Sequence, residues 1–178
     1  MVSRARVALG VVATLIVAGG LFALSPKSPL PQPDWLPWRT QQPVAFNHNI
    51  HVEELGFECV DCHLYAMTSV RATIPNIDNC ADCHAEAQGE SPEEAKLVEY
   101  IAAGEKVPWR KIYRLPDHVY FSHRRHASIA AIECAVCHGP VAEQVKPVGR
   151  PYWRPTMNNC IECHEESGAS NDCVHCHY

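Results

Sequence analysis

The chain has 178 residues, ten cysteines and a formal net charge of −5. This length suits one ordinary domain, and the absence of any cluster of basic residues argues against nucleic acid as a partner. All ten cysteines fall in five C-x-x-C-H motifs, and none is left over. The cysteines therefore carry most of the information about what this chain does.

An uncharged run over residues 7–24 follows Arg4 and Arg6. As a helix these residues would span about 27 Å, close to the thickness of a hydrocarbon core. The run predicts an uncleaved transmembrane anchor, and a cleaved signal peptide is the alternative. The two arginines predict a cytoplasmic N-terminus in a bacterial inner membrane, with the rest of the chain in the periplasm.

Each C-x-x-C-H motif has the attachment signature of a c-type haem, in which two thiols bond the porphyrin and the histidine binds iron. Paired C-x-x-C would also suit zinc, a thioredoxin-like redox pair or disulfides. None of these explains a histidine directly after every second cysteine, so we predict five covalently bound haems c. The motifs are Cys59/Cys62/His63, Cys80/Cys83/His84, Cys134/Cys137/His138, Cys160/Cys163/His164 and Cys173/Cys176/His177.

The sequence contains two copies of one module. The pattern F-x-H-x-x-H precedes a haem motif at Phe46 and again at Phe121, 75 residues later. A second haem motif follows in each copy, and a third follows only in the second copy. The predicted divisions are an N-terminal anchor (1–24), a Pro-rich linker (25–45), a dihaem module (46–87), a helical connector (88–117) and a trihaem module (118–178).

The connector contains the helix that the sequence specifies best. Ser91 is the predicted N-cap, Pro92 occupies the first helical position, and Glu94 completes an S-x-x-E capping box. Gly104 is the predicted end of the helix. Elsewhere fourteen prolines and nine glycines interrupt the periodicity, which predicts short helices and irregular structure.

Six of the eleven histidines lie outside the haem motifs, and five would complete bis-histidine ligation of five haems. The distal ligand of the haem on His177 is the open assignment. His118 is the first choice, because the second module has one more haem and one more upstream histidine than the first. Met157, His175 or no ligand at all remain alternatives. The six histidines are His48, His51, His118, His123, His126 and His175.

F-x-H-x-x-H followed by C-x-x-C-H resembles the class III multihaem cytochromes, small bis-histidine proteins of sulfate- and metal-reducing bacteria. In that family the first histidine of the pair ligates the first haem of a module and the second ligates a later one. The resemblance covers residues 44–87 and 117–178. It implies the ligand pairs His48 with His63, His51 with His84, His123 with His138, and His126 with His164.

A second resemblance is to the pentahaem, membrane-anchored cytochrome subunit of alternative complex III, a bacterial quinol oxidoreductase. Related cytochromes of other quinone-linked complexes also fit. The resemblance rests on one segment of the pattern W-x-x-I/V-x-x-L-P-D-x-V-Y-F-x-H-x-x-H. Its residues here are Trp109, Ile112, Leu115, Pro116, Asp117, Val119, Tyr120, Phe121, His123 and His126.

The expected fold is mostly irregular with small α-helices: two class III-like haem modules and one N-terminal transmembrane helix. Two histidines on one iron leave no position for a substrate, so the predicted function is electron transfer without a catalytic site. The expected partners are the membrane, quinone-linked or iron–sulfur subunits and a periplasmic acceptor such as another cytochrome. The alternatives are a self-sufficient quinol dehydrogenase, a small reductase with an open haem, and a soluble shuttle.

Overall fold

The computed structural model describes residues 39–178, of which residues 40–178 form one compact unit. Within this part of the chain no helix is both long enough and apolar enough to cross a membrane. The anchor predicted over residues 1–24 and most of the predicted linker lie outside the described residues. The boundaries between the predicted modules stay predictions.

The described residues form short helices joined by irregular segments, as predicted, and they contain no β-strand. The nearest approach to a sheet is an isolated antiparallel bridge between Val119 and His177. Each haem motif begins or ends a short helix or lies within one, and each F-x-H-x-x-H pattern runs into a π-helical turn. The α-helices are α1 (Cys59–Cys62), α2 (Ile77–His84), α3 (Pro92–Ala103), α4 (Cys134–His138), α5 (Met157–Ser167) and α6 (Cys173–Cys176); the π-helices are Ile50–Glu54 and Arg124–Ile129, and a 3₁₀-helix covers Val141–Glu143.

The helix α3 forms where the sequence predicts it. The Ser91 side chain accepts a hydrogen bond from the Glu93 amide, and Pro92 is in the first turn. Gly104 ends the helix in the left-handed conformation, with φ 67°, which glycine adopts without steric cost. The predicted capping box is wrong, because the Glu94 carboxylate accepts hydrogen bonds from His84 and from the loop before the helix instead.

The polypeptide by itself has a very small hydrophobic core. Among the described residues only Val44, Leu97 and Val107 are buried hydrophobic side chains, and no side chain is completely buried. They join α3 to α2 and to the chain before and after them. The connector helix therefore packs on the first module. Sixteen large apolar side chains are exposed in the described region, which is apolar surface that bound haem could cover.

Candidate haem-binding sites

In the first module the ring of Phe46 holds both distal histidines. It stacks on the ring of His51, with centroids 4.5 Å apart and planes 23° from parallel. The same ring meets His48 edge-on, with centroids 4.8 Å apart and an interplanar angle of 84°. One phenylalanine thus contacts two candidate iron ligands, one by stacking and one edge-on.

The second module repeats this arrangement. Phe121 stacks on His126 with centroids 4.5 Å apart at 21°, and it meets His123 edge-on at 5.0 Å and 89°. The agreement covers distances and angles as well as residue types. The shared sequence pattern therefore encodes a shared local structure.

Both π-helices position the second histidine of the pair. The Nδ1 of His51 lies 2.8 Å from the carbonyl oxygen of Asn47, and the Nδ1 of His126 lies 2.8 Å from that of Ser122. A carbonyl oxygen only accepts, so Nδ1 carries the proton in both rings. The lone pair is then on Nε2, which is the tautomer that binds a metal. π-Turns of this kind are rare and occur mainly at functional sites.

Four pairs of candidate ligands face each other at the separation that one iron atom requires. Two metal–nitrogen bonds of about 2 Å, plus about 1 Å from each nitrogen to its ring centre, separate two trans imidazoles by about 6 Å. The observed centroid separations are 6.1 Å for His51 and His84, 6.4 Å for His123 and His138, 6.2 Å for His126 and His164, and 5.6 Å for His118 and His177.

The remaining predicted pair, His48 and His63, is also brought together. Burial lowers the pKa of His48 to about 4, and the nearby charges of His63 and His51 contribute to that shift. His48 is therefore neutral at neutral pH, as a metal ligand must be. Its Nδ1 is buried without a hydrogen-bond partner, in contrast to that of His123, which lies 3.2 Å from the carbonyl oxygen of Val70.

Two of the motif histidines, one in each module, also have a fixed tautomer. The Nδ1 of His63 donates to the carbonyl of Thr73 at 2.9 Å, and the Nδ1 of His164 donates to that of Ser170 at 2.8 Å. Thr73 has a φ of 64°, which is uncommon for a β-branched residue and marks a constrained backbone at the site.

The histidine of the second motif, His84, has a different partner. Its Nδ1 lies 2.7 Å from Oε1 of Glu94. The amides of Gln88 and Gly89 also donate to this carboxylate, at 2.8 and 3.0 Å. The Gln88 amide first, and then His84 and Gly89, hold the pKa of Glu94 below its ordinary value.

The ten cysteines predicted to bond haem form no disulfides, and none of them is fully buried. In three of the five motifs the first cysteine is exposed and the second is half-buried, and in the fourth motif both are half-buried. The exposed thiols are Cys59, Cys83, Cys134 and Cys173; the half-buried ones are Cys62, Cys80, Cys137, Cys160, Cys163 and Cys176.

Cys83 departs from this arrangement, because in its motif the second cysteine is the exposed one. The first cysteine of that motif, Cys80, packs against the hydrophobic core beside α3, whereas Cys83 lies in the last turn of α2. Within residues 39–178 the polypeptide leaves Cys83 exposed, as it does Cys59, Cys134 and Cys173. The role of Cys83 in attachment stays a prediction.

The open assignment concerns the last motif. Among the three candidate ligands, only His118 has its ring opposite that of His177. The backbones on either side pair as well, because the amide of Tyr120 donates to the carbonyl of Cys176 at 2.8 Å. His175 is exposed and lies 2.9 Å from the Ser170 hydroxyl. Met157 is 63% exposed at the start of α5. The geometry favours His118, and the assignment stays a prediction.

We number the candidate haem sites one to five in chain order, by the motif histidines His63, His84, His138, His164 and His177. Sites two and one are joined by a hydrogen bond from the Asn79 side chain to the carbonyl of Asp61, at 3.1 Å. Sites one and three meet at their cysteines. Burial raises the pKa of the Cys134 thiol, and the Cys59 thiol, which is hydrogen-bonded to it, raises the pKa further.

The second module continues the series. The Phe121 ring contacts His123 of site three edge-on and stacks on His126 of site four, so these two sites are adjacent. Ser170 joins sites four and five, because its carbonyl accepts from His164 while its hydroxyl contacts His175. The contacts thus run in the order two, one, three, four, five, with sites two and five at the ends.

These residues fit haem c. The facing rings have the right spacing, five of the ten candidate ligands are held in the metal-binding tautomer, and each pair includes a histidine that completes a C-x-x-C-H motif. A cavity of about 350 Å³ also opens beside Cys80, with mostly apolar walls. It is lined by Ile74, Pro75, Asn76, Ile77, Cys80, Lys106, Val107, Pro108 and Trp109.

Three residues that shape these sites have no predicted role in haem binding. The phenylalanine of F-x-H-x-x-H was visible in the pattern, and its constant spacing from both histidines was a usable signal. Glu94 was assigned to helix capping only. Tyr113 had no signal at all: its hydroxyl donates to the Cys137 carbonyl at 3.0 Å, and its ring lies edge-on to His138 at 4.9 Å.

Known families match both halves of the chain. The class III cytochrome c family matches residues 26–108, and the family of cytochrome c7 and related cytochromes c matches residues 119–178. The multiheme cytochrome c subunit of menaquinone reductase from Nitratidesulfovibrio vulgaris (strain Hildenborough) is 32% identical over 169 residues, covering 82% of this chain and 80% of the relative. The chain belongs to the multihaem c-type cytochromes. As a multihaem cytochrome it carries covalently bound haem c and transfers electrons. The predicted resemblance to the class III multihaem cytochromes is confirmed.

Proposed function

We propose that this multihaem cytochrome carries five haems c and is the electron-transfer subunit of a quinone-linked membrane complex. In this proposal residues 1–24 anchor the chain in the bacterial inner membrane, with the N-terminus in the cytoplasm. The haem domain lies in the periplasm and exchanges electrons with a periplasmic acceptor.

The observation that carries the proposal is the pairing of histidines across each candidate iron position. Four pairs have centroid separations between 5.6 and 6.4 Å, and the fifth pair, His48 and His63, is close enough for His63 to contribute to the lowered pKa of His48. An iron with two histidine ligands has no open position for a substrate. The chain is therefore better suited to moving electrons than to transforming a small molecule.

The continuous series of contacts between the sites supports a conduit. Bound haem supplies one-electron redox chemistry. The polypeptide supplies ligands in a fixed tautomer, and the Phe46 and Phe121 rings restrict the motion of those ligands. The contacts between neighbouring motifs keep the five sites close together.

The quinone link is supported by the relative, which is a subunit of menaquinone reductase. The same class of partner suits this chain, because the predicted anchor would hold the haem domain near the quinone pool. Quinone-linked or iron–sulfur subunits of one membrane complex are the expected neighbours, and another cytochrome is the expected soluble partner.

The proposal can be tested by mild detergent extraction of membranes and identification of the proteins that co-purify. We expect a menaquinol analogue to reduce the haems in the intact complex and to leave them oxidised in the isolated subunit, as followed by haem absorbance. Reduction of the isolated subunit would replace the proposal with a self-sufficient quinol dehydrogenase. Recovery of the protein only in the soluble fraction would contradict the anchor.

A further inference from the structure

Glu94 is placed differently from every other group that contacts a ligand histidine. It lies in the first turn of α3, and its side chain is only 12% exposed. Oε1 is 2.7 Å from the Nδ1 of His84, and the amides of Gln88 and Gly89 donate to the two carboxylate oxygens. Three donors thus hold the carboxylate in one orientation against the ligand of site two.

The other ligand histidines with a hydrogen-bonded Nδ1 have neutral partners. Within residues 39–178, the recorded acceptors for these rings are backbone carbonyl oxygens. The equivalent histidine of the second module, His164, donates to the carbonyl of Ser170 at 2.8 Å. A carboxylate on a ligand histidine therefore occurs at one of two sites that the duplication would otherwise make alike.

The partner of Nδ1 matters because it changes what the ring donates to the metal. A carboxylate that accepts the Nδ1 proton makes the imidazole a more basic ligand. It also adds a negative charge near the iron, in a position that water screens only in part. Reduction adds one electron and lowers the charge of the site by one, while the shared proton stays between Nδ1 and Oε1. Both effects favour the oxidised state.

We infer that Glu94 is a potential-setting residue, which gives the haem of site two a lower reduction potential than the haem of site four. The inference rests on the proposed five-haem function and adds an internal direction to it. Site two is one end of the series of contacts, so the proposed low potential lies at that end. A helix-capping or loop-anchoring role alone would give no such difference.

The test compares Glu94→Gln with Glu99→Gln in the full-length protein with all haems attached. Glu99 is an exposed residue of the same helix, so its substitution removes the same charge without touching a ligand. Potentiometric titration with dithionite as reductant, followed by haem absorbance and low-temperature electron paramagnetic resonance, gives the midpoint potentials. We expect Glu94→Gln to destabilise the oxidised form of one haem about tenfold, which raises one midpoint by about 59 mV. Glu99→Gln should leave all midpoints unchanged.

Unchanged midpoints in a fully loaded Glu94→Gln protein, or an equal shift in both variants, would overturn the inference. If Glu94→Gln fails to mature, the unaltered protein still decides the question. Nuclear magnetic resonance assignment of the haems should then show a lower midpoint for the haem bound by His84 than for the one bound by His164. The reverse order, or equal potentials, would contradict the inference. None of these readouts depends on a quinol, so they are independent of the test for the partner complex.

Discussion

The two modules are copies whose similarities and differences fall in different places. Both contain a phenylalanine that stacks on one histidine and meets another edge-on, with centroid distances that agree within 0.2 Å (4.5 and 4.5 Å, 4.8 and 5.0 Å). Both place the second histidine in a π-helix, and both bond its Nδ1 to the carbonyl four residues earlier. The unit that presents the iron ligands is therefore the unchanged part of the duplication.

The differences lie in what surrounds this unit. The Nδ1 of His84 is hydrogen-bonded to a carboxylate, and that of His164 to a backbone carbonyl. Only the second module has a third motif, whose histidine, His177, faces His118. The only buried hydrophobic core in the described chain packs around α3, against the first module. The two modules thus share the way in which the candidate ligands are held, while the environment of each site differs. This pattern suits a protein whose two modules do the same electron-transfer chemistry at different reduction potentials.

The largest expected effect tests the site that only one module has. In His118→Ala the haem on His177 should lose its sixth ligand, because His118 is the one ring recorded opposite His177 in the described part of the chain. One haem in five should then show a high-spin signal in electron paramagnetic resonance and in the absorbance spectrum, and it should bind added imidazole or cyanide.

The matched control for this change is His175→Ala, which removes an exposed histidine two residues from the same iron ligand. It should leave all haems low-spin. The assignment of His118 would be wrong if a high-spin haem were present in the unaltered protein, or in His175→Ala instead of His118→Ala. A high-spin haem in the unaltered protein would also support the alternative function of a reductase with an open haem.

Sequence reasoning and the family resemblance named histidine pairs of which four have rings 5.6–6.4 Å apart in the structure, and their ligation of iron stays a prediction. Sequence reasoning failed where a side chain had two competing partners. Glu94 has the right spacing for a capping box with Ser91, but the loop before α3 brings His84 closer to the carboxylate. The positive φ of Thr73 could not be predicted either, since it depends on where His63 lies after folding.

An intermediate effect is expected at the aromatic residue that both modules share. In Phe46→Leu and Phe121→Leu the side chain stays apolar but loses its two ring contacts, each worth about 1 kcal/mol. We expect each variant to lower the free energy of unfolding of the haem-loaded protein by about 2 kcal/mol, measured by guanidinium unfolding followed at the haem absorbance. The two losses should be similar, because the two geometries are.

Phe57→Leu is the control for both, since Phe57 is 40% exposed and makes no recorded ring contact within the described residues. A loss as large in the control would mean that the effect comes from general apolar area. A large loss in only one of the two modules would show that the shared geometry does not imply shared energetics.

The smallest effect concerns one backbone position that the two modules fill differently. Gly56, with φ 78°, and Ala131, with φ 51°, occupy equivalent places between the π-helix and the haem motif. An alanine in this left-handed conformation costs about 1 kcal/mol relative to glycine, reduced by the greater freedom of glycine in the unfolded chain. Ala131→Gly should therefore raise the free energy of unfolding by about 0.5 kcal/mol, and Gly56→Ala should lower it by a similar amount.

Space does not complicate this exchange, because no atom lies within 4 Å of a Cβ built on Gly56. Ala130→Gly serves as the control, since Ala130 has φ −83° and gains nothing from a left-handed conformation. It should destabilise the protein slightly through the entropy of the unfolded chain. If Ala131→Gly behaved like Ala130→Gly, the turn before the second module's first haem motif would carry no strain. The two modules would then be equivalent at this position despite their different residues.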